Sequence, residues 1–170
     1  DPDDTQDFHG THVAGTIGAV GDNGVGITGV CQQVRMVAMR FLGGPDGTGT
    51  DADAIDALTY TTNLDVAVTN NSWGAISGSL AMKNAIDAAG SEGILFVAAA
   101  GNAGSPNPEF PAGYTSSNIL SVASIGLSDR LSSFSNYGTP HTDLGAPGSD
   151  IVSTRPTRYN PPYRALGGTS

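Results

Sequence analysis

Two histidines and several glycines stand close together near the start of the chain. The segment Phe8-His9-Gly10-Thr11-His12-Val13-Ala14-Gly15-Thr16 separates His9 and His12 by three residues, which in a helix puts both rings on one side, one turn apart. That geometry is compatible with a metal pair. However, no carboxylate follows at the spacing of the zinc-binding helix motif, so we do not predict zinc. The glycines of the segment instead favour close packing of backbone.

Three further blocks combine small residues with groups that could take part in chemistry. They are Ala98-Ala99-Ala100-Gly101-Asn102, Asp143-Leu144-Gly145-Ala146-Pro147-Gly148 and Leu166-Gly167-Gly168-Thr169-Ser170. Each block alone is compatible with a turn or a helix cap. Together with the histidine segment, in this order and at these separations, they resemble the subtilisin-like serine peptidases over nearly the whole chain.

The resemblance implies a serine endopeptidase that hydrolyses peptide bonds through an acyl-enzyme. A serine hydroxyl becomes an effective nucleophile when an imidazole takes its proton, and the resemblance assigns these roles to Ser170 and His9. The tetrahedral intermediate carries an oxyanion, which needs hydrogen-bond donors in place before the charge develops. By resemblance the Asn102 side-chain amide and the Ser170 backbone N–H are these donors.

A Ser-His-Asp triad also needs a carboxylate that orients the imidazole. The family carries it N-terminal to the histidine, in an Asp-Ser/Thr-Gly motif after a strand, and no such motif precedes His9. We interpret Asp143 as a partner of backbone or of Arg130, and we expect the triad aspartate upstream of this sequence. Four nearby acids are predicted to be hydrated loop residues: Asp1, Asp3, Asp4 and Asp7.

An extended peptide can bind by adding a strand to an exposed backbone edge. The resemblance assigns one such edge to Ser72, Trp73 and Gly74 and a second to Gly47, Thr48 and Gly49. It also assigns Ala99, Ala100 and Gly101 to the pocket for the residue before the scissile bond, opposite Trp73 and Gly74. Small walls leave that pocket roomy, so we expect it to prefer large apolar side chains. The alternative for both edges is an ordinary loop.

The stretch Gly21-Asp22-Asn23-Gly24-Val25-Gly26-Ile27 lies where many family members place calcium. The resemblance implies ligands at Gly21, Asn23, Val25 and Ile27, and hard oxygen donors suit this ion. The alternative is a glycine-rich turn that only ends a helix. We therefore expect a structural calcium at most, and no cofactor for catalysis.

The amino-acid composition limits which classes of binding partner the protein can have. The formal net charge is −9, and Lys83 is the only lysine, so the surface repels the phosphates of nucleic acid. No apolar run reaches the length that spans a bilayer, which argues against a membrane partner. The single cysteine, Cys31, forms no internal disulfide, and we interpret it as a small buried hydrophobic residue.

Hydrophobic patterning predicts the elements that position these residues. Helical spacing is predicted over His9–Val20, Asp51–Thr61 and Ser79–Ser91. Short apolar runs predict buried strands over Val34–Phe41, Asp65–Asn71, Ile94–Ala100 and Ile119–Ile125. The alternation predicts an α/β fold with a mostly parallel sheet and helices on both faces, and the resemblance implies the three-layer subtilisin-like architecture.

The 170 residues suffice for one domain. We expect them to be part of one peptidase catalytic domain truncated at both ends, without the first strand, which carries the triad aspartate, and the helix after Ser170. We expect this segment alone to be inactive. Family habit suggests an extracellular protein, and we expect a monomer. Two alternatives remain open: a non-catalytic binding or structural module, and an inert fragment.

Overall fold

A computed structural model describes residues 8–43 and 47–170 of the chain. The chain divides into two compact units, one formed by Asp1–Gly49 with Asp150–Leu166 and the other by Thr50–Ser149 with Gly167–Ser170. We call them the first and the second unit. The aspartates predicted to be hydrated loop acids, Asp1, Asp3, Asp4 and Asp7, lie outside the described residues.

The described residues form three helices and six strands, which are numbered in chain order. The helices are α1 (His9–Gly18), α2 (Asp51–Thr62) and α3 (Leu80–Ser91). The strands are β1 (Val68–Asn71), β2 (Leu95–Ala99), β3 (Ile119–Ile125), β4 (Leu144–Pro147), β5 (Ile151–Thr154) and β6 (Tyr163–Leu166).

In the first unit, α1 packs against β5, which pairs antiparallel with β6. The Ser153 hydroxyl donates to the His12 carbonyl at 2.6 Å, and the Thr154 hydroxyl donates to the Thr11 carbonyl at 2.8 Å. A Cβ at Gly15 would overlap both hydroxyl oxygens. The low helix propensity of glycine is therefore accepted at this position because only glycine permits so close an approach.

The second unit is built on a parallel sheet in the order β1-β2-β3-β4. Helix α3 packs against β2, and α2 packs against α3. Phe96 of β2 and Ile86 of α3 are fully buried at the centre of this core. A parallel sheet needs cover on its apolar faces, and the amphipathic helices provide it here.

The α/β fold with a mostly parallel sheet is confirmed. All three predicted helices form, with ends within two residues of those expected. The strands predicted over Asp65–Asn71, Ile94–Ala100 and Ile119–Ile125 correspond to β1, β2 and β3. Among the described helices, none is both long and apolar enough to cross a membrane.

The prediction of a buried strand over Val34–Phe41 is wrong. Residues 34–42 join no strand ladder in the described part of the chain, and Val34, Met36 and Val37 are 40%, 47% and 55% exposed. The apolar composition of the run indicated a tendency to be buried. A strand also requires a hydrogen-bonding neighbour, and composition does not reveal one.

The prediction that Cys31 is a buried hydrophobic residue is also wrong, because its side chain is exposed. Cys31 lies in the bend after α1, where its backbone N–H donates to the Ile17 carbonyl at 2.8 Å. That hydrogen bond fixes the backbone of the bend and leaves the thiol on the surface.

Helix α2 begins with a reciprocal cap. The Thr50 hydroxyl accepts from the Asp53 backbone N–H at 3.2 Å, and the Asp53 carboxylate accepts from the Thr50 hydroxyl at 2.6 Å and from the Thr50 backbone N–H at 3.1 Å. This pattern satisfies donors that the first helical turn leaves unpaired. These hydrogen bonds, that of the hydroxyl first, hold the pKa of the Asp53 carboxyl below its usual value.

A lowered pKa makes this cap dependent on pH. The carboxylate contributes stability above the carboxyl pKa of the unfolded chain, and the contribution is lost as the pH falls through the lower folded-state pKa. We therefore expect Asp53→Asn to lower the unfolding temperature near neutral pH and to converge with the unmodified protein in acid. Asp56→Asn, on the exposed face of the same helix, is the charge-matched control. Thermal unfolding followed by circular dichroism across this pH range measures the difference, and a constant offset at every pH would contradict the prediction.

Candidate functional site

The predicted base and its histidine neighbour lie in the first unit. His9 is the first residue of α1 and is exposed, whereas His12 is only 5% exposed. The His12 Nε2 atom lies 2.9 Å from the Arg164 carbonyl oxygen. A carbonyl only accepts, so we assign the proton to Nε2. The prediction that His12 is a packed helix neighbour is confirmed.

The loop with the predicted calcium ligands follows α1. Residues Gly21–Thr28 line a hollow of about 240 Å³, and Asp22, Gly24 and Gly26 have φ values of 55°, 68° and 63°. The Asn23 Oδ1 atom accepts from the Val25 N–H at 2.9 Å, which leaves this oxygen a second lone pair. No cluster of three His, Cys, Asp or Glu side chains suited to a metal occurs among the described residues. The oxygen atoms of this loop belong to backbone carbonyls, the Asn23 amide, the Asp22 carboxylate and the Thr28 hydroxyl, and such oxygen donors fit a hard cation such as calcium.

The turn after β2 is held by one buried side chain that sequence reasoning missed. Asn136, 1% exposed, accepts through Oδ1 from the N–H groups of Ala103 and Ser105, both at 3.0 Å. Its Nδ2 donates to the Ala100 carbonyl at 3.1 Å, and its backbone N–H donates to the Gly101 carbonyl at 2.9 Å. One asparagine therefore fixes both sides of the turn that presents Asn102.

Asn102 is connected to the predicted nucleophile segment through Thr169. The Thr169 backbone N–H donates to Asn102 Oδ1 at 2.9 Å, and its hydroxyl lies 3.2 Å from the same oxygen. The Thr169 hydroxyl also accepts from the Gly101 N–H at 3.1 Å. Since Oδ1 is the acceptor in both contacts, the amide orientation follows, and Nδ2 is left as a donor. Asn102 and Ser170 are both exposed, so this donor and the hydroxyl are open to a ligand.

The segment before Ser170 is also attached to the end of β4. The Gly168 N–H donates to the Gly148 carbonyl at 2.8 Å. A Cβ at Gly148 would overlap the Gly168 carbonyl and the Ser124 hydroxyl, so glycine is required for this approach. Asp143, just before β4, accepts from the Ser121 backbone N–H at 2.8 Å. Of the two partners expected for Asp143, backbone is therefore the correct one.

The predicted substrate-binding residues are divided between the units. Ser72, Trp73 and Gly74 follow β1, and the Trp73 Nε1 donates to Asn71 Oδ1 at 3.4 Å. Ala99 ends β2, and Ala100 and Gly101 follow it into the turn. These residues belong to the second unit with Asn102 and Ser170, whereas Gly47, Thr48 and Gly49, which are exposed, belong to the first with His9.

A carboxylate lies beside two of the predicted pocket walls. A Cβ built on Gly74 would lie 2.5 Å from Glu109 Oε2, and one built on Gly101 would lie 2.9 Å from Glu109 Oε1. Sequence reasoning did not single out Glu109, because Pro106-Asn107-Pro108-Glu109 reads as an ordinary polar loop. Only the fold brings this side chain to those glycines.

Several known peptidases are similar to this chain. The profile of the subtilase family matches residues 1–170. A thermophilic serine proteinase from Bacillus sp. (strain AK1) is 43% identical over 95% of this chain and 39% of its own length. Thermitase from Thermoactinomyces vulgaris is 41% identical over 95% of this chain and 56% of its own length.

One solved protease structure is also similar to this chain. The prenylagaramide maturation protease PagA superposes with a TM-score of 0.84 and is 27% identical, covering 95% of this chain and 58% of its own chain. The chain thus spans between 39% and 58% of the length of these similar proteins.

The turn that carries Asn102 should loosen when Asn136 is removed. Asn136→Ala leaves the N–H groups of Ala103 and Ser105 and the Ala100 carbonyl without their partner. Leaving one buried polar group unpaired costs about 1–3 kcal/mol, so we expect a loss of roughly 2–5 kcal/mol. Amide hydrogen exchange should quicken at Ala103 and Ser105, and Asn107→Ala, an exposed change in the same loop, should leave both rates unchanged. Unchanged exchange in Asn136→Ala would contradict this role.

Proposed function

The chain belongs to the subtilase family, and we propose that the protein it forms part of is a serine endopeptidase acting on extended polypeptides. The observation that carries the proposal is the Asn102 side chain, whose Oδ1 is held by Thr169 while Nδ2 is left to donate beside the Ser170 segment. A preorganised amide donor next to an exposed serine suits the stabilisation of an oxyanion.

In the proposed reaction, Ser170 Oγ attacks the carbonyl carbon of the scissile bond while His9 accepts the hydroxyl proton. The carbonyl oxygen gains the negative charge and is stabilised by Asn102 Nδ2 and the Ser170 backbone N–H. Collapse of the intermediate breaks the C–N bond, and His9 returns the proton to the leaving amine. Water, activated by the same imidazole, then releases the acyl group from Ser170. An aspartate outside this sequence completes the triad in the proposal.

The setting of the whole protein is also a proposal. The net charge of −9 disfavours nucleic acid as a partner. We propose a secreted monomer, with no cofactor in catalysis and a structural calcium at Gly21, Asn23, Val25 and Ile27. Two observations support the calcium site: the positive φ angles of Asp22, Gly24 and Gly26 and the second lone pair of Asn23 Oδ1.

Covalent labelling tests the nucleophile and the base. A serine-directed phosphonate should label the full-length protein once, and Ser170→Ala or His9→Ala should abolish the labelling. Ser128→Ala, an exposed serine in a loop after β3, should leave it intact. Labelling that survives in folded Ser170→Ala would show that another residue is the nucleophile.

The oxyanion donor is tested by steady-state kinetics. Asn102→Ala should lower kcat by about 10²–10³-fold with little change in KM, which is the loss that follows removal of one such donor in subtilisin. The reason is that this hydrogen bond strengthens only as the oxyanion forms. Asn107→Ala serves as the control. A change confined to KM would show that Asn102 binds substrate rather than the transition state.

Calcium is tested on protein first treated with a chelator. Added calcium at about 100 times its Kd should raise the unfolding temperature by roughly 5 °C, and magnesium should have little effect because it requires a tighter octahedral shell. Asn23→Ala should reduce the rise, while Asn63→Ala, at the end of α2, should not. Equal responses in the two variants would place the ion elsewhere.

A further inference from the structure

The loop before Pro111 points a carboxylate at the two glycines that the proposed function assigns to the substrate pocket. Glu109 is half-buried. Its Oε2 would lie 2.5 Å from a Cβ on Gly74, and its Cδ and Oε1 would lie 2.8 and 2.9 Å from a Cβ on Gly101. The Glu109 side chain therefore occupies space that a side chain at either glycine would need. Its Oε2 lies beside Gly74, and its Oε1 lies beside Gly101.

The backbone around Glu109 is firmly held, so the direction of its side chain is determined by the fold. Ala75 and Phe110 exchange two backbone hydrogen bonds, at 2.8 and 2.9 Å. The Glu109 carbonyl accepts from the Gly113 N–H at 2.8 Å. Residue 109 is thereby fixed alongside the segment that follows β1.

No cation compensates this carboxylate within the described part of the chain. Glu109 has no hydrogen bond or ion pair to any described side chain. The pocket residues assigned beside it, Ala99, Ala100 and Gly101, carry no charge. A half-buried carboxylate is screened by solvent less than an exposed one, so a cationic group that reaches it forms a strong charge-assisted hydrogen bond. A cationic side chain of the substrate could therefore supply the positive charge that the pocket lacks.

We propose that Glu109 makes this pocket selective for a basic side chain, Arg or Lys, in the residue before the scissile bond. The inference rests on the proposed function, because it takes Gly74 and Ala99–Gly101 as the pocket walls. It replaces the expectation of large apolar side chains, which followed from the small walls alone. A guanidinium fits two carboxylate oxygens with two parallel hydrogen bonds, and an ammonium fits them as a point charge.

Peptides that differ only in the residue before the scissile bond test the proposal on the full-length protein. We expect kcat/KM for Arg and Lys to exceed that for Leu and Phe by about 10- to 100-fold, because a hydrogen bond to a charged group contributes about 1.5–3 kcal/mol. Glu109→Gln should remove most of this ratio, and Glu109→Lys should invert it. Both changes are expected to act on kcat/KM for Arg and Lys, the side chains whose charge would meet the Glu109 carboxylate.

The control is Glu92→Gln, which removes the same charge from the only other glutamate in the chain. Glu92 is exposed at the end of α3, so the ratio between basic and apolar peptides should be unchanged. Labelling by a small phosphonate is measured in the unmodified protein, Glu92→Gln and Glu109→Gln. This measurement establishes that each variant retains a folded, reactive serine.

The outcomes separate this inference from the proposed function. A protein that cleaves no peptide and takes no phosphonate would overturn the proposed function. A labelled, active protein that cleaves after Leu or Phe at least as well as after Arg or Lys would overturn the role of Glu109 alone. So would an unchanged ratio in Glu109→Gln. If Glu109→Gln does not fold, the ratio of kcat/KM between basic and apolar peptides in the unmodified protein decides whether the inference stands.

Discussion

The candidate site depends on how the chain turns after β2. The turn must reverse direction within a few residues, and Gly101 adopts a φ of 108° to do so, a conformation that other residues rarely adopt. The backbone groups it removes from the sheet still need partners. Asn136 supplies them from a segment 36 residues from Ala100. A single buried amide therefore converts a loop into a rigid support for Asn102.

The same turn connects regions that are far apart in sequence. Thr169 accepts from Gly101 across 68 residues and contacts Asn102 across 67, so the serine segment and the amide are positioned by one another. Serines in and after β3 and after β4 form a second network, in which Ser132 Oγ lies 2.8 Å from both Ser124 Oγ and Ser149 Oγ. Polar groups so connected resist rearrangement, because each would lose a partner in a region of low dielectric constant.

Local patterning accounts for the parts of the fold that were predicted. Helices α1 to α3 and strands β1 to β3 have apolar spacing that can be recognised within a dozen residues, and α2 and α3 also begin with side-chain caps. Strand β4 was missed because Leu144-Gly145-Ala146-Pro147 contains two residues that disfavour strands, and it forms at a sheet edge, where proline is tolerated. The antiparallel pair of β5 and β6 was also missed. Its short strands are separated by a loop rich in proline.

The residues of the candidate site also fall into two groups, those that local sequence motifs predict and those that only the fold reveals. The histidine, asparagine and serine blocks could be proposed from sequence because each is a contiguous motif. Asn136 and Glu109 could not, since their partners lie in other segments and only the folded chain brings them together. The run Val34–Phe41 is the opposite case, in which local composition indicated burial that the fold does not provide at Val34, Met36 and Val37.

Charge acts on the proposed substrate at two ranges, and only one of them selects a position in the peptide. The net charge of −9 attracts any cationic peptide, but salt screens this attraction beyond about 8 Å at physiological ionic strength. It also acts equally on every basic residue of the peptide. Glu109 is half-buried between Gly74 and Gly101, where solvent screens it less. Its attraction reaches only the side chain that enters the pocket, so it discriminates among positions in a way that the overall charge does not.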